Sequence, residues 1–156
     1  MSYPHDILYR GSFHKSKFMP QYDLYHESVK RALIKDGWAI TDDPFIIEYK
    51  ELRLFADLGA EKPIAAEKAE CKIVVEIKVF GTPSPVTELE RAVGQYGIYR
   101  TFLDRISPER ELFLAVAQDV YQDFFQQYAV QEIITAFEIH LLIFEPATEG
   151  IVTWIS

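Results

Sequence analysis

The run KIVVEIKVFG, Lys72 to Gly81, constrains the fold more than any other stretch of this chain. Its period of two reads as a strand, with Ile73, Val75, Ile77 and Val79 on one face and Val74, Glu76, Lys78 and Phe80 on the other. The first face must be buried, which places the run at the centre of a sheet. The second face carries an acid and a base two residues apart. Either that face is wet and the pair is a solvated one, or it is an active site.

The rest of the chain supplies the context. Asp23 to Trp38, DLYHESVKRALIKDGW, predicts a helix with Asp23 as N-cap, Tyr25, Val29, Ala32 and Leu33 at helical spacing, and Gly37 as its stop. Trp38–Thr41 and Phe45–Glu48 read as strands around an Asp-Asp-Pro turn. The segment RLFADLGAEKPIAAEK continues as a strand region broken at Gly59 and Pro63. After GTPSP a helix runs from about Pro85 to Asp104. Leu89, Ala92, Val93, Tyr96 and Leu103 form its apolar stripe, and Glu88, Arg91, Gln95 and Tyr99 a second, polar one. The two glycines of GQYG suggest close helix packing. ELFLAVA then reads as a buried strand, DVYQDFFQQYAVQEIITAFEI as one or two helices, and HLLIFEP and GIVTWIS as closing strands.

The expected fold is therefore α/β (α+β), a mixed sheet flanked by helices with an α-β-β-β-α-β core. Residues 1–22 form an irregular N-terminal arm and residues 23–156 a single domain. A chain of 156 residues buries about two thirds of its unfolded surface in one core. No continuous apolar run is long enough for a membrane span, and the first twenty residues lack the apolar centre of a secretory signal, so a cytoplasmic protein is expected. The one cysteine, Cys71, excludes an internal disulfide framework and reads as packing.

A net charge of −8 opposes tight binding to duplex DNA by the chain alone, although Lys62, Lys68, Lys72 and Arg91 could form a local, weak DNA-binding patch. Other chemistries find little support. His5, His14, His26 and His140 make no local metal motif, and neither a nucleophile elbow nor a nucleotide-binding glycine loop is present.

Asp57 stands at the end of LRLFA, upstream of Glu76 and Lys78. Asp followed by Glu-x-Lys resembles the metal constellation of the PD-(D/E)XK nuclease superfamily. That likeness implies a restriction-endonuclease-like fold with Asp57 and Glu76 as carboxylate ligands of Mg2+ or Mn2+ and Lys78 as the group that orients or deprotonates the attacking water. Glu27 on the first helix is a candidate outer ligand. Gln95 and Tyr99 are similar to the Gln-x-x-x-Tyr motif of the RecB-like branch, which implies contact with phosphate or metal.

Longer blocks resemble one family. YHESVKRALIKDGWAITDDP, ADLGAEKPIAAEK with KIVVEIKVF, ELERAVGQYGIYR, ELFLAVAQDVYQDFF and LLIFEP together resemble XisH, the fdxN-element excision controlling factor of cyanobacteria, over about Asp23 to Trp154. The resemblance implies an endonuclease-like fold and control of site-specific excision of a DNA element alongside a companion factor, XisI. Two function classes follow. One is a metal-dependent nuclease acting on DNA phosphodiesters. The other is a non-catalytic accessory module that binds an XisI-like protein or the recombination complex. In either case DNA would be reached through an assembly, and the closing strands offer a surface for that partner or for a second copy of the chain.

Overall fold

The structure, a computed structural model, describes residues 21–64 and 69–156. Helix α1 (Gln21–Lys35) starts before the expected cap: Asp23 lies in its first turn, where a carboxylate favours the positive end of the helix dipole. Gln21 and Tyr22, expected in the arm, are thus helical, and the remainder of the arm, residues 1–20, lies outside the described residues. The stop is as expected. Gly37 takes φ +93°, and the N–H groups of Gly37 and Trp38 donate to the carbonyls of Ile34 and Leu33, which closes the last turn.

Five strands follow: β1 (Ala39–Asp42), β2 (Phe45–Tyr49), β3 (Leu52–Ala56), β4 (Leu58–Ile64) and β5 (Ala69–Ile77). The strand region between β2 and β5 is broken at Asp57, not at Gly59 and Pro63, which both lie inside β4. Gly59 is there because its neighbours crowd it: a Cβ would meet the Phe45 ring at 2.7 Å and an Asp42 carboxylate oxygen at 2.8 Å. Pro63 lies beyond Glu61, the last residue of β4 that β1 pairs.

The chain then forms α2 (Pro85–Ile106), β6 (Arg110–Ala117), the short helices α3 (Gln118–Asp123) and α4 (Tyr128–Ala136), β7 (Leu141–Glu145) and β8 (Gly150–Ile155). Ser84 caps α2 by accepting the Thr87 N–H, and Pro85 occupies the first turn. Among the described residues the strands make a six-stranded sheet of order β1-β4-β5-β6-β7-β8 and a separate β2–β3 hairpin. The sheet is mixed: β5, β6 and β7 run parallel, while β1, β4 and β8 pair antiparallel. With the hairpin set aside, the order is the expected α-β-β-β-α-β.

Strand β5 is interior, and both of its faces are covered. Ile73, Val75 and Ile77 pack with Val29, Leu33 and Trp38 on the α1 side. Val74 packs with Leu89, Tyr96, Leu112 and Leu114 on the side of α2 and the β2–β3 hairpin. A wet face for Glu76 is thereby ruled out. Val79, expected in the buried row, is only half-buried because β5 ends at Ile77, and Phe80 turns onto the rings of Phe124 and Phe125. The GQYG glycines do not serve close packing. A Cβ at Gly94 or Gly97 would meet nothing within 4 Å.

Leu114 sits fully buried on the central strand β6. Leu114→Ala should therefore lower stability by about 2–5 kcal/mol. The change should appear as a lower urea midpoint at unchanged slope.

Candidate functional site

The break at Asp57 does structural work. One residue separates β3 from β4, and it holds Asp57 beside the end of β5. Asp57 Oδ2 accepts the Ile77 N–H at 2.7 Å, and the Asp57 N–H donates to Glu76 Oε1 at 3.2 Å. Each acid is thus anchored by the other's strand. Asp57 is 1% exposed and Glu76 4%. Lys78, the next residue on the same face of the extended chain, is half-buried, and its backbone N–H continues the ladder to the Ala115 carbonyl at 3.0 Å.

Two buried carboxylates this close repel. Burial first, and then the Asp57 charge, push the Glu76 carboxyl well above the usual glutamate range, while Lys78 pulls it back down. The pair is therefore poised to take up a proton or a cation. Tyr99 belongs to the same neighbourhood. Its buried hydroxyl donates to the Phe55 carbonyl and accepts from Gln95 Nε2, both at 2.8 Å. Burial and the charges of Glu76 and Asp57 raise its ionisation, so it stays a neutral donor. Gln95 Oε1 is buried and lacks a hydrogen-bond partner.

Helix α1 contributes residues that sequence reasoning did not select. Tyr22 donates from its hydroxyl to Asp57 Oδ1. His26, one turn on, is 8% exposed; its Nε2 lies 2.8 Å from Asp43 Oδ1 and its Nδ1 3.8 Å from Asp57 Oδ1. Lys30, another turn on, bonds Asp43 Oδ2 at 2.9 Å. Burial would raise the Asp43 carboxyl, but the bonds and charges of Lys30 and His26 prevail and hold it below the ordinary range. The spacing 22, 26, 30 is the signal that could have found this face. Glu27, the expected outer ligand, is not brought to the pair: it lines a cleft with Arg31, Pro146 and Glu149, on another flank of α1.

The expected DNA-contacting residues do not gather either. Lys62 is 3.5 Å from Asp36 and lies over the Trp38 ring on the α1 side. Lys72 is 3.6 Å from Glu61 and Arg91 3.2 Å from Glu88, on the α2 side. Lys68 lies outside the described residues. Cys71 is half-buried against the α1-side core.

The donor set fits a hard divalent cation. Asp57 and Glu76 offer anionic oxygens, and the Gln95 amide oxygen is an unused acceptor in the same region. Among the described residues no group of three or more His, Cys, Asp and Glu side chains is placed to hold a metal ion. An ion of the Mg2+ type needs only one or two carboxylates, because it keeps several waters.

Comparisons with known proteins agree over most of the chain. The family model described as XisH protein matches residues 19–152. An XisH family protein from Nostoc punctiforme PCC 73102 is 39% identical, with a TM-score of 0.78, over 85% of this chain and 99% of that one. A fdxN element excision controlling factor protein from Anabaena variabilis is 38% identical, with a TM-score of 0.78, over 86% of this chain and 99% of that one. No curated protein matches. Among the described residues no helix is long and apolar enough to cross a membrane.

The raised Glu76 carboxyl sets a pH dependence. A carboxyl whose folded-state value exceeds its unfolded one contributes stability that is present below the ordinary glutamate value of 4.5 and is lost as pH rises through the raised folded value. In metal-free buffer Glu76→Gln should therefore be more stable than wild type above neutral pH. The advantage should shrink steadily on acidification toward the ordinary value, as followed by thermal melts across pH. Separately, Tyr99→Phe should cost about 1–3 kcal/mol in urea unfolding, because it removes two buried hydrogen bonds, to the Phe55 carbonyl and from the Gln95 amide.

Proposed function

The chain belongs to the XisH family, and on that premise we propose that it carries a metal-dependent nuclease site of the PD-(D/E)XK type, which serves the controlled excision of a DNA element. The observation that supports this reading is the buried pair of Asp57 and Glu76 with Lys78 beside it. Two repelling acids in a core are costly unless a cation or a proton joins them, and such perturbed groups concentrate at functional sites. A purely structural pair would be served as well by apolar residues of the same volume.

In this reading Asp57 and Glu76 hold Mg2+ or Mn2+, which when bound polarises a phosphoryl oxygen and acidifies water. The Asp57–Ile77 bond fixes the angle at which the first carboxylate faces the ion. The Asp57 N–H does the same for Glu76. Lys78 stabilises charge that grows on the phosphate and orients the attacking water. Tyr99, kept neutral, and Gln95 hold the wall of the site between α2 and β3, and the Gln95 amide oxygen is the acceptor left for a bound water.

DNA is reached through an assembly. The chain carries −8, and Lys62, Lys72 and Arg91 each sit beside an acid, so the phosphate attraction available from this surface is weak. An XisI-like partner would supply basic surface or hold the protein at its target, which raises effective concentration. The same observation favours a second reading, an accessory module without catalysis, in which the acid pair shares a proton.

Cleavage of plasmid and linear duplex by the protein with an XisI-like partner, with and without Mn2+ or Mg2+, separates the two. Metal-dependent cleavage that is lost in Glu76→Ala and Lys78→Ala supports the nuclease. Equal, absent cleavage in all proteins while DNA capture persists supports the accessory module. The metal should also raise the melting temperature of wild type by mass action on the folded state, and Asp57→Asn should abolish that rise.

A further inference from the structure

The tip of the β2–β3 hairpin gathers two cations on one aromatic ring. Tyr49, the last residue of β2, stacks on Phe102 of α2, with ring centroids 5.2 Å apart and planes at 26°. Lys50 Nζ lies 5.4 Å from the centre of the Tyr49 ring, and the Arg105 guanidinium lies 5.7 Å from it. Both cations are exposed. Among the described residues neither forms an ion pair, although Glu51 and Asp104 adjoin them in the chain. Lys62, Lys72 and Arg91 differ, since each stands beside an acid. An aromatic ring attracts a cation but cancels none of its charge, so the tip stays locally positive on a chain that carries −8.

The backbone points the same way. Lys50 takes φ +50°, in the left-handed region that glycine or asparagine enters at less cost. A two-residue turn between the paired residues Tyr49 and Leu52 calls for those residue types, so a lysine there does not serve the turn. What it adds is charge at the end of the hairpin. Strand β3 then leads from this tip to the acid pair: Leu52 stands five residues before Asp57, about 17 Å along an extended chain. Helix α2 follows the same line, for Tyr99 bonds the Phe55 carbonyl beside the site, and Phe102 and Arg105 come on its next turns. Phosphates of one DNA strand recur about every 3.4 Å along the axis, so that span is about five nucleotides.

We propose that the hairpin tip is a contact for the backbone of duplex DNA, in which Lys50 and Arg105 each neutralise a phosphate and the Tyr49–Phe102 stack holds them in place. The inference rests on the reading of this chain as one that acts at DNA, and it names the surface that meets the duplex away from the acid pair. Two phosphate contacts give weak binding, which agrees with an assembly that supplies the rest.

Fluorescence anisotropy of a labelled duplex, titrated with the full chain in EDTA buffer from low to physiological salt, tests the idea. The double variant Lys50→Asn, Arg105→Gln keeps a residue suited to the turn, and its thermal melt checks the fold. It should bind more weakly at low salt, and the slope of log affinity against log salt should become shallower by about 1.8, the value for two phosphates. Lys50→Arg with Arg105→Lys should keep the wild-type slope, and so should Lys62→Ala. No duplex binding by wild type at low salt, an unchanged slope in the double variant, or an equal loss in Lys62→Ala would overturn the contact. None of these results bears on metal-dependent cleavage by the assembly, whose absence would sink the nuclease reading and leave a salt-slope change at the hairpin standing.

Discussion

The reciprocal bond between the β3–β4 junction and the end of β5 is the constraint on which the rest of the site depends. Asp57 accepts from the backbone of Ile77 and gives its own N–H to Glu76, so two acids that would otherwise separate are locked together by main-chain atoms. Main-chain anchoring matters because it requires no side-chain ordering beyond the two carboxylates themselves. It also explains why the strand breaks where it does. A continuous β3–β4 strand would direct the Asp57 N–H into a ladder and away from Glu76.

Around that clamp the sheet supplies the low-dielectric walls. Strand β5 is covered by α1 on one face and by α2 with the β2–β3 hairpin on the other. The clamp sits where β5 ends at Ile77, so the buried acids lie next to a half-exposed base, Lys78. Burial strengthens every charge interaction there, and without a proton or a cation it makes the acid pair a liability. The fold thus holds a polar cluster at the end of an apolar strand, and that conflict marks a site more sharply than any motif.

The sequence was legible where periodicity and caps act locally. The alternation of Lys72 to Phe80 located the central strand, Gly37 located the end of α1, and Pro85 at the end of GTPSP the start of α2. The pairing of Asp57 with Glu76 and Lys78 was legible only as spacing along two neighbouring strands. What was not legible depends on tertiary direction. Glu27 and His26 are adjacent in sequence, and only the roll of α1 on the sheet decides that His26 faces Asp57 while Glu27 faces the β7–β8 turn. In the same way Gly59 looked like a break, because the Phe45 ring that crowds it comes from a strand fourteen residues earlier in the chain. Lys62, Lys72 and Arg91 looked like a patch because sequence does not show that an acid stands beside each.

The central claim is that the acid pair is joined by a metal ion and not by a proton. A crystal of the full chain soaked in Mn2+, with anomalous scattering measured at the manganese edge, addresses it directly. The account predicts an anomalous peak in contact with a carboxylate oxygen of Asp57 and of Glu76. A pair that stays in direct carboxyl contact, with no peak between α1, Asp57 and Glu76 at saturating Mn2+, would contradict it.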